Sequence, residues 1–563
     1  MTQIEDFALS AARKYLQSIV FVDDKIYYEV PAKGVVPDVA APKAMRVFAK
    51  PMAPKVEEKV VEGDAGKDGG AEGLKEDELY HPKNLVESFA REGMVCALYE
   101  PAEGFPTGNK SDLFKLCERA DVVILDWEFH GHPGTKILPL ISNLVSAAQT
   151  SVPHHVRLIA VYTSTPDLKR VAAQIYEHLV KTDPKTDAKG EYDLDAGSSR
   201  IIVLGKPATG RAQDQVEAAE VAEVALAGRI IAEFAAMHEG ILPSMAMHGL
   251  ASVRTNTKKI LDKFRREMDG AFLVHRGLIY PGDDAFEQIP ELLSEEALAV
   301  MTDSQLPYDQ SKRLADEVIE SFGLSIDWEV KKNKQKPEPG VLAKKLLKDG
   351  LASVEKVVDI DVVAIEQLHA AVDRKSLSTD KRLATLYNIR TLYNARKDLR
   401  FGTIVRHNVG DTLEYSICLM PLCDCVRLAT NGRVYQFPFW KLRASNEKQP
   451  SKGMVIELPS DEGFVELFSM GKPRDQMWMK GFKASSPSKT VIAVERDGKW
   501  VFEAASEEQA AAPAVVEATA PLFEFVAQLK PIHAQRIAHD IGASFSRVGV
   551  LEAEWLRRKA DRR

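Results

Sequence analysis

The stretch VVILDWEF, residues 122–129, constrains the fold of this chain more than any other. Four apolar residues run directly into Asp126, where the polarity changes at once. Short β-branched runs of this kind are typical of a parallel strand that is covered on both faces. Open α/β sheets keep their chemistry at the carboxyl ends of such strands, so Asp126 stands where a functional side chain is expected.

Three other strand-like runs in the first half of the chain also end in polar side chains. SIVFVDDK ends with Asp23 and Asp24, RLIAVYTS carries Thr163, and RIIVLGKP carries Lys206. An acid pair, an acid, a hydroxyl and a lysine at strand ends, in this order, resemble the receiver domain of two-component response regulators. The resemblance covers roughly the first 240 residues.

The resemblance implies a flavodoxin-like α/β fold, with a five-stranded parallel sheet of order 2-1-3-4-5 flanked by helices. It also implies that Asp126 accepts a phosphoryl group from a sensor histidine kinase, with Mg²⁺ as cofactor. Asp24 and Asp126, with the backbone carbonyl of Glu128, are then expected to hold the metal. Asp23 is expected to act through a metal-bound water.

The resemblance assigns the other two strand-end residues to the phosphoryl group itself. Lys206 is expected to pair with its oxygens, and Thr163 to donate a hydroxyl to it. The Lys206–Pro207 bond is a candidate cis peptide. The aromatic residue that the family usually carries three positions before the lysine is Val203 here, so we do not predict coupling between Thr163 and an aromatic side chain.

An inert scaffold is the first alternative to a phosphoacceptor. Such a protein would keep the receiver fold for protein–protein interaction while its site was silent. Three carboxylates at strand ends repel one another and are hard to explain as packing. The sequence therefore favours a site that is in use.

DNA binding is the second alternative, through a helix-turn-helix in AQRIAHDIGASFSRVGVLEAEWL near the end of the chain. Ala538, Gly542, Val548 and Leu551 fall at the spacings that this motif favours. Gly549 would lie inside the recognition helix, however, and few side chains suited to base contacts are present. The formal net charge of −8 gives no general attraction to nucleic acid, so we predict no such partner.

The remaining sequence suggests several further parts. The receiver-like region, 1–240, carries two polar insertions that we predict to be disordered, at about 28–81 and 182–199. One helical pattern runs from Ala212 to His238 and would carry a signal, dimerise or pack against the next domain. An α-helical domain is predicted at 241–400 and a small antiparallel β barrel or sandwich at 401–503. A linker at 504–520 and a helical segment at 521–563 follow.

The cysteines argue against a disulfide framework and favour a reducing cytoplasm, since there are five in 563 residues. Cys418, Cys423 and Cys425 suggest zinc, with His407 as the one histidine nearby. Their spacing does not match the usual paired ligand motifs. We therefore interpret Cys423 and Cys425 as small core residues of a strand. Because no apolar run reaches the ~18–20 residues of a membrane helix, we predict no membrane partner.

The whole chain more loosely resembles the large receiver proteins of bacterial phage-defence phosphorelays, the Detocs type. The resemblance rests on the CDCVRL…FPFWKL and SRVGV…EWLRR stretches and on the order of domains. It implies a sensor histidine kinase and a second receiver-effector protein as partners, and a phosphate sink as the role. The chain has no P-loop lysine, H-E-x-x-H or G-x-S-x-G motif, so we predict no enzyme beyond slow autodephosphorylation. The sequence also allows the protein to form a homodimer.

Overall fold

The fold is that of a computed structural model, which describes residues 2–26, 82–150, 156–208, 210–278, 286, 288–326, 328–332, 334–360, 362–372, 379–393, 396–444, 453–459, 462–469, 473–505 and 522–545. The predicted insertion at 28–81 lies outside these residues, as does the linker after 505. The chain divides into two compact units, Met1–Val274 with Ala285–Glu317 and His275–Asp284 with Val318–Arg563. None of the described helices is long and apolar enough to cross a membrane.

The first unit is built on a seven-stranded mixed sheet. Its strands are β1 (Ser18–Val22), β2 (Val95–Tyr99), β3 (Val122–Leu125), β6 (Arg157–Thr163), β7 (Asp187–Ala188), β8 (Asp193–Ala196) and β9 (Ser199–Gly205), while β4 (Glu128–Phe129) and β5 (His132–Pro133) form a separate hairpin. The parallel strands lie in the order β2-β1-β3-β6-β9, and β8 and β7 continue the sheet as antiparallel strands.

The sheet separates two hydrophobic layers, because alternate residues of each strand face opposite sides. Val123 and Leu125 of β3 belong to one layer, and Val122 and Ile124 to the other. All four side chains are buried. The prediction that this run is a central strand covered on both faces is confirmed.

The second polar insertion is ordered where we predicted disorder. Residues 187–188 and 193–196 form β7 and β8, and β8 pairs with β9 along Asp193–Ala196. Leu194 and Ala196 are buried against the sheet, while Asp193 and Asp195, which alternate with them, are only partly buried. Two apolar residues in alternation were too weak a pattern to stand out among charged neighbours.

Helices flank the sheet. In the first part of the chain they are α1 (Gln3–Tyr15), α2 (Pro82–Arg91), α3 (Asp112–Glu118), α4 (Ile137–Thr150), α5 (Leu168–Thr182), α6 (Gln213–Ala219), α7 (Glu223–Ala236), α8 (Ile241–Thr255) and α9 (Thr257–Leu261). Helix α1 begins with a capping box, in which Thr2 and Glu5 satisfy each other's backbone amides.

The single long helix predicted from Ala212 to His238 is wrong. The chain leaves the helical conformation between α6 and α7, at residues 220–222. There the Val221 amide donates to the Gly205 carbonyl at 2.8 Å, and the Tyr162 hydroxyl donates to the Val221 carbonyl at 2.7 Å. These hydrogen bonds to the sheet replace hydrogen bonds within a helix. The spacing of apolar residues in the sequence gives no sign of them.

Further helices follow in the sequence: α10 (Asp269–Leu278), α11 (Ile289–Asp303), α12 (Tyr308–Ser321), α13 (Val341–Asp349), α14 (Val362–Val372) and α15 (Thr379–Asn388), with 3-10 turns at Arg266–Met268 and Leu351–Ser353. Helix α8 belongs to the first unit. Arg254 of α8 donates to Asp121 at the amino end of β3. A contact between residues so far apart in sequence leaves no local pattern.

The second unit contains a nine-stranded antiparallel sheet. Its strands are β10 (Thr403–Val409), β11 (Thr412–Cys418), β12 (Val434–Ala444), β13 (Gly453–Glu457), β14 (Phe464–Phe468), β15 (Met477–Lys483), β16 (Val494–Arg496), β17 (Lys499–Glu503) and β18 (Leu522–Gln528), with helix α16 (Pro473–Gln476), helix α17 (Pro531–Phe545) and a 3-10 turn at Leu422–Asp424. The predicted helical segment at 521–563 thus begins with a strand, β18, which pairs with β10 and β17.

Candidate functional site

Four parallel strands bring the polar strand ends to one edge of the sheet. Val22 of β1 is level with Leu125 of β3, which is level with Val161 of β6. Thr163, at the end of β6, is level with Gly205, at the end of β9. The residues that follow these positions therefore meet at the carboxyl edge of the sheet, where the sequence analysis placed them.

Three carboxylates form the centre of this edge. Asp23, Asp24 and Asp126 each offer an oxygen, and these atoms lie within 4.8 Å of one another. The exposed fraction of the side chain is 0% for Asp23, 6% for Asp24 and 5% for Asp126. Like charges this close in a buried site are unfavourable unless a positive charge is present.

Lys206 supplies part of that positive charge. Its Nζ lies 2.8 Å from Oδ2 of Asp23 and 3.1 Å from Oδ2 of Asp126. The other oxygen of each carboxylate accepts a backbone N–H at 2.8 Å, from Lys25 for Asp23 and from Trp127 for Asp126. Both carboxylates are thus held in fixed orientations by the chain itself.

Burial and charge shift the ionisation of this cluster. Desolvation raises the pKa of Asp126, and the neighbouring Asp23 carboxylate raises it further, against the lowering effect of Lys206. Desolvation lowers the pKa of Lys206, but the carboxylates of Asp126 and Asp23 outweigh it, so that the net shift is upward. The lysine is therefore held charged beside an aspartate whose charge is opposed by its surroundings.

Asp24 differs from its neighbours because one of its oxygens has no partner. Oδ2 accepts the backbone N–H of His130 at 2.6 Å, whereas the buried Oδ1 has no hydrogen bond. The His130 ring is oriented by the Pro101 carbonyl, 3.1 Å from Nε2. Since a carbonyl only accepts, Nε2 carries the proton of this bond.

A divalent cation fits this set of groups. Three ionised carboxylates against one ammonium would leave two uncompensated negative charges in a buried cluster. The unpartnered Oδ1 of Asp24 is a hard oxygen ligand of the type that Mg²⁺ prefers. Asp24 and Asp126 would hold the cation directly, and Asp23 lies close enough to contact a bound water.

The other predicted positions are less directly engaged. The Thr163 hydroxyl is buried and lies 3.0 Å from the hydroxyl of Thr165, rather than bonding to a carboxylate of the site. The side chain of Glu128 is exposed on β4, and the metal contact predicted for its backbone carbonyl stays a prediction. The Lys206–Pro207 bond is not cis; among the described residues the cis peptide is Ser486–Pro487.

The cysteines of the second unit form no metal cluster within the described residues. Cys418 and Cys425 are buried, and Cys425 donates its S–H to the Met420 carbonyl at 3.4 Å. Cys423 is exposed in a 3-10 turn, so its interpretation as a core residue of a strand is wrong. The chain is helical at this point, so the alternation of side chains along a strand does not apply.

The stretch considered for a helix-turn-helix begins in helix α17 of the second unit. Gly542 lies inside helix α17, which continues to Phe545. Ala534, Ile537 and Ile541 of this helix pack into a core cluster of the second unit. Val548, Gly549 and Leu551 lie outside the described residues.

Two residues of the site were not predicted from the sequence. His130 contacts Asp24, and Arg211 donates to the backbone at the ends of β6 and β9. His130 has a φ of 49° in the β4–β5 turn, and Arg211 is in a loop between β9 and α6. Both look like ordinary surface residues in the sequence, so no pattern pointed to them.

Residues 15–211 match the family model described as a response receiver domain. No curated protein and no solved structure matches the chain. The matched residues include all the strands of the seven-stranded sheet and the whole carboxylate cluster. The prediction of a receiver domain is therefore confirmed for residues 15–211, and this class of domain implies a histidine kinase or phosphotransfer partner.

Proposed function

We propose that this protein accepts a phosphoryl group on Asp126 from a sensor histidine kinase. The observation that carries the proposal is Lys206, which bridges Asp23 and Asp126 beside an unpartnered oxygen of Asp24. Phosphoryl transfer to a carboxylate requires a nucleophile, a fixed positive charge and an oxygen ligand that can bind a divalent cation. An inert scaffold has no need of this strained arrangement of charge.

The chemical step is a displacement at phosphorus. A carboxylate oxygen of Asp126 forms a bond to the phosphorus of the donor phosphohistidine, while the bond from phosphorus to the imidazole nitrogen breaks. The electron pair of that bond stays on the imidazole nitrogen, and the phosphoryl group becomes an acyl phosphate. Hydrolysis of this acyl phosphate by water would be the slow autodephosphorylation that we expect.

The side chains around Asp126 would act by positioning and by charge. Lys206 would contact the phosphoryl oxygens, for which its ammonium is already 3.1 Å from Asp126. Thr163 would exchange its bond to Thr165 for one to the phosphoryl group. A bound Mg²⁺ would supply neutralisation of the phosphoryl oxygens, and Asp24 and Asp126 would hold it.

The test is the intact mass after incubation with acetyl phosphate and Mg²⁺. Wild type should gain one phosphoryl group that hydroxylamine removes, and Asp126→Asn should gain none, because the amide has nearly the same shape but is not a nucleophilic carboxylate. Asp112→Asn, a change at an exposed position of α3, is the matched control and should behave as wild type. An equal gain in Asp126→Asn would place the phosphate elsewhere and refute the assignment.

Two further variants separate the roles within the site. Asp24→Asn should also abolish labelling, but through a lost metal ligand, so high Mg²⁺ concentrations should partly restore it. Asp126→Asn should not be restored at any Mg²⁺ concentration. Lys206→Ala should be labelled slowly, because the nucleophile is intact while the charge that orients the phosphoryl oxygens is gone.

We propose further that the protein acts as a phosphate sink in a phage-defence phosphorelay. The support is the resemblance of the whole chain to Detocs-type receiver proteins, together with the absence of known effector motifs from the sequence. Cells that carry the cognate kinase and a second receiver-effector protein should become more sensitive to spurious effector activation when Asp126 is changed to Asn. Unchanged growth and phage resistance in such cells would contradict the sink role.

A further inference from the structure

Arg211 is a buried arginine that joins the ends of two strands of the site. Its side chain has no exposed surface. Nη1 donates to the Lys206 carbonyl at 2.6 Å, and Nη2 donates to the carbonyls of Thr165 at 3.1 Å and Thr163 at 3.3 Å. Nη1 also pairs with the Glu220 carboxylate. The guanidinium therefore contacts both the hydroxyl-bearing and the lysine-bearing strand ends.

An arginine suits this position better than any other cation. Its planar fork presents several donors in fixed directions, whereas a lysine ammonium is a compact point charge. The neighbouring Gly205 leaves room for it, since a Cβ at that position would overlap the guanidinium. Sequence alone does not show this fit, because the arginine follows the strand by six positions.

The same contacts extend to the interruption between α6 and α7. Glu220, the partner of Arg211, is the first residue after α6. The next residue, Val221, is bonded to Gly205 through its amide and to Tyr162 through its carbonyl. Tyr162 precedes Thr163 directly, so both strand ends are attached to one short stretch of chain.

We propose that Arg211 is a positioning residue for phosphoryl acceptance, an inference that rests on the proposed function of Asp126. Arg211 holds the ends of β6 and β9 together, so that the Thr163 hydroxyl and the Lys206 ammonium reach the same phosphoryl group. Through Glu220 it also couples a movement of either strand end to residues 220–222 and the start of α7. This path takes the place of the aromatic residue that receiver domains usually carry at the position of Val203.

Arg200 provides a matched control on the same strand. Its guanidinium bonds to Asp193 at 2.6 Å and 2.7 Å and to Glu233 of α7 at 2.9 Å. It therefore also ties β9 to α7, but at the opposite end of the strand from the site. A change at Arg200 tests the loss of a partly buried arginine–carboxylate pair without disturbing the strand ends that carry Thr163 and Lys206.

The first experiment measures the rate of phosphoryl gain from acetyl phosphate and Mg²⁺ by intact mass. Arg211→Lys should be slower than wild type by about tenfold or more, because a small misplacement of catalytic groups has effects of that size. Gly205→Ala, which displaces the guanidinium without removing it, should also be slow. Arg200→Lys should be labelled at the rate of wild type.

Hydrogen exchange provides the readout that a merely structural role would not change. Phosphorylation of wild type should alter amide exchange in residues 220–226, and this response should be absent in phosphorylated Arg211→Lys and present in Arg200→Lys. Denaturant unfolding of each variant checks that it is folded. If Arg211→Lys does not fold, Gly205→Ala carries the same test.

The two proposals fail in different ways. If wild type gains no phosphoryl group, the proposed function fails and the role of Arg211 fails with it. If wild type is labelled, but Arg211→Lys and Gly205→Ala match it in rate and in exchange response, only the positioning role is refuted.

Discussion

Buried carboxylates lie at both ends of the central sheet, and they differ in how many hydrogen-bond donors and positive charges surround them. At the amino end, both oxygens of Asp121 are satisfied. Oδ2 accepts the backbone amides of Gln17 and Ser18 at 3.0 Å and the Ser18 hydroxyl at 3.0 Å. Arg254 donates to both oxygens, at 2.9 Å and 3.1 Å. One negative charge meets one positive charge, and no acceptor is left without a donor.

At the carboxyl end, three carboxylates share one lysine, and Oδ1 of Asp24 is buried without a partner. The net pKa shifts follow this difference, since that of Asp121 is lowered and that of Asp126 is raised. Burial alone raises the pKa of either carboxyl, and the number of donors decides which way the balance falls. A satisfied carboxylate stabilises the fold, whereas an unsatisfied one is available to a ligand.

We expect the largest change in the free energy of unfolding when the charge of Asp121, at the amino end of the sheet, is removed. Asp121→Asn should lower the free energy of unfolding of the first unit by about 3 kcal/mol, because it breaks a buried ion pair and turns an amide group toward backbone donors. Urea denaturation followed by fluorescence measures this. A change of less than about 0.5 kcal/mol, as at an ordinary surface site, would contradict the contrast between the two ends.

The same difference should depend on pH with a defined sign. Desolvation raises the pKa of Asp121, but the bonds from Arg254, Gln17 and Ser18 lower it more, so the folded pKa lies below the ordinary value. The stabilisation is then fully present above the unfolded pKa of about 3.9 and is lost as the pH falls through the folded pKa. The difference in the free energy of unfolding between wild type and Asp121→Asn should therefore narrow below pH ~4 and stay constant from pH ~5 to 7. A gap that widened in acid would contradict the assignment.

Magnesium should stabilise only the unsatisfied end. At ten times its dissociation constant, Mg²⁺ should add about 1.4 kcal/mol to the unfolding free energy of wild type, because it binds the folded state alone. Asp24→Asn should lose this gain, and Asp121→Asn should keep it. Thermal unfolding with Mg²⁺ and with a chelator measures both. Equal gains in wild type and Asp24→Asn would mean that the carboxylate cluster is not the metal site.

The smallest effect has the opposite sign to the first. In the absence of divalent cations, Asp126→Asn should raise the free energy of unfolding by about 1 kcal/mol, because it removes one of the excess negative charges. Differential scanning calorimetry in chelator compares this variant with wild type. Destabilisation like that of Asp121→Asn would show that both ends of the sheet are balanced alike.

The strand ends of the site could be predicted from the sequence because each rests on a local change of polarity. Asp126 follows four consecutive buried residues, and parallel pairing then brings it level with the ends of the neighbouring strands. The same logic placed Asp23, Asp24, Thr163 and Lys206 at one edge. Local apolar runs thus carried both the sheet and the main residues of the site.

The rest depended on contacts between distant residues, which leave no local pattern. Arg254 reaches Asp121 from 133 positions away in the sequence. The interruption between α6 and α7 exists because the sheet offers Gly205 and Tyr162 as partners to Val221. Arg211 required the same knowledge of the fold.

The short strand β7 has a consequence for the solubility of the sheet. It consists of two residues and forms the outer edge next to β8. Lys189, directly after it, lies 2.8 Å from Asp187 and 3.7 Å from Asp195, all well exposed. A second chain that added a strand here would have to desolvate these charges along an edge only two residues long. The pair of strands β7 and β8 therefore ends the sheet in a form that resists aggregation by strand addition.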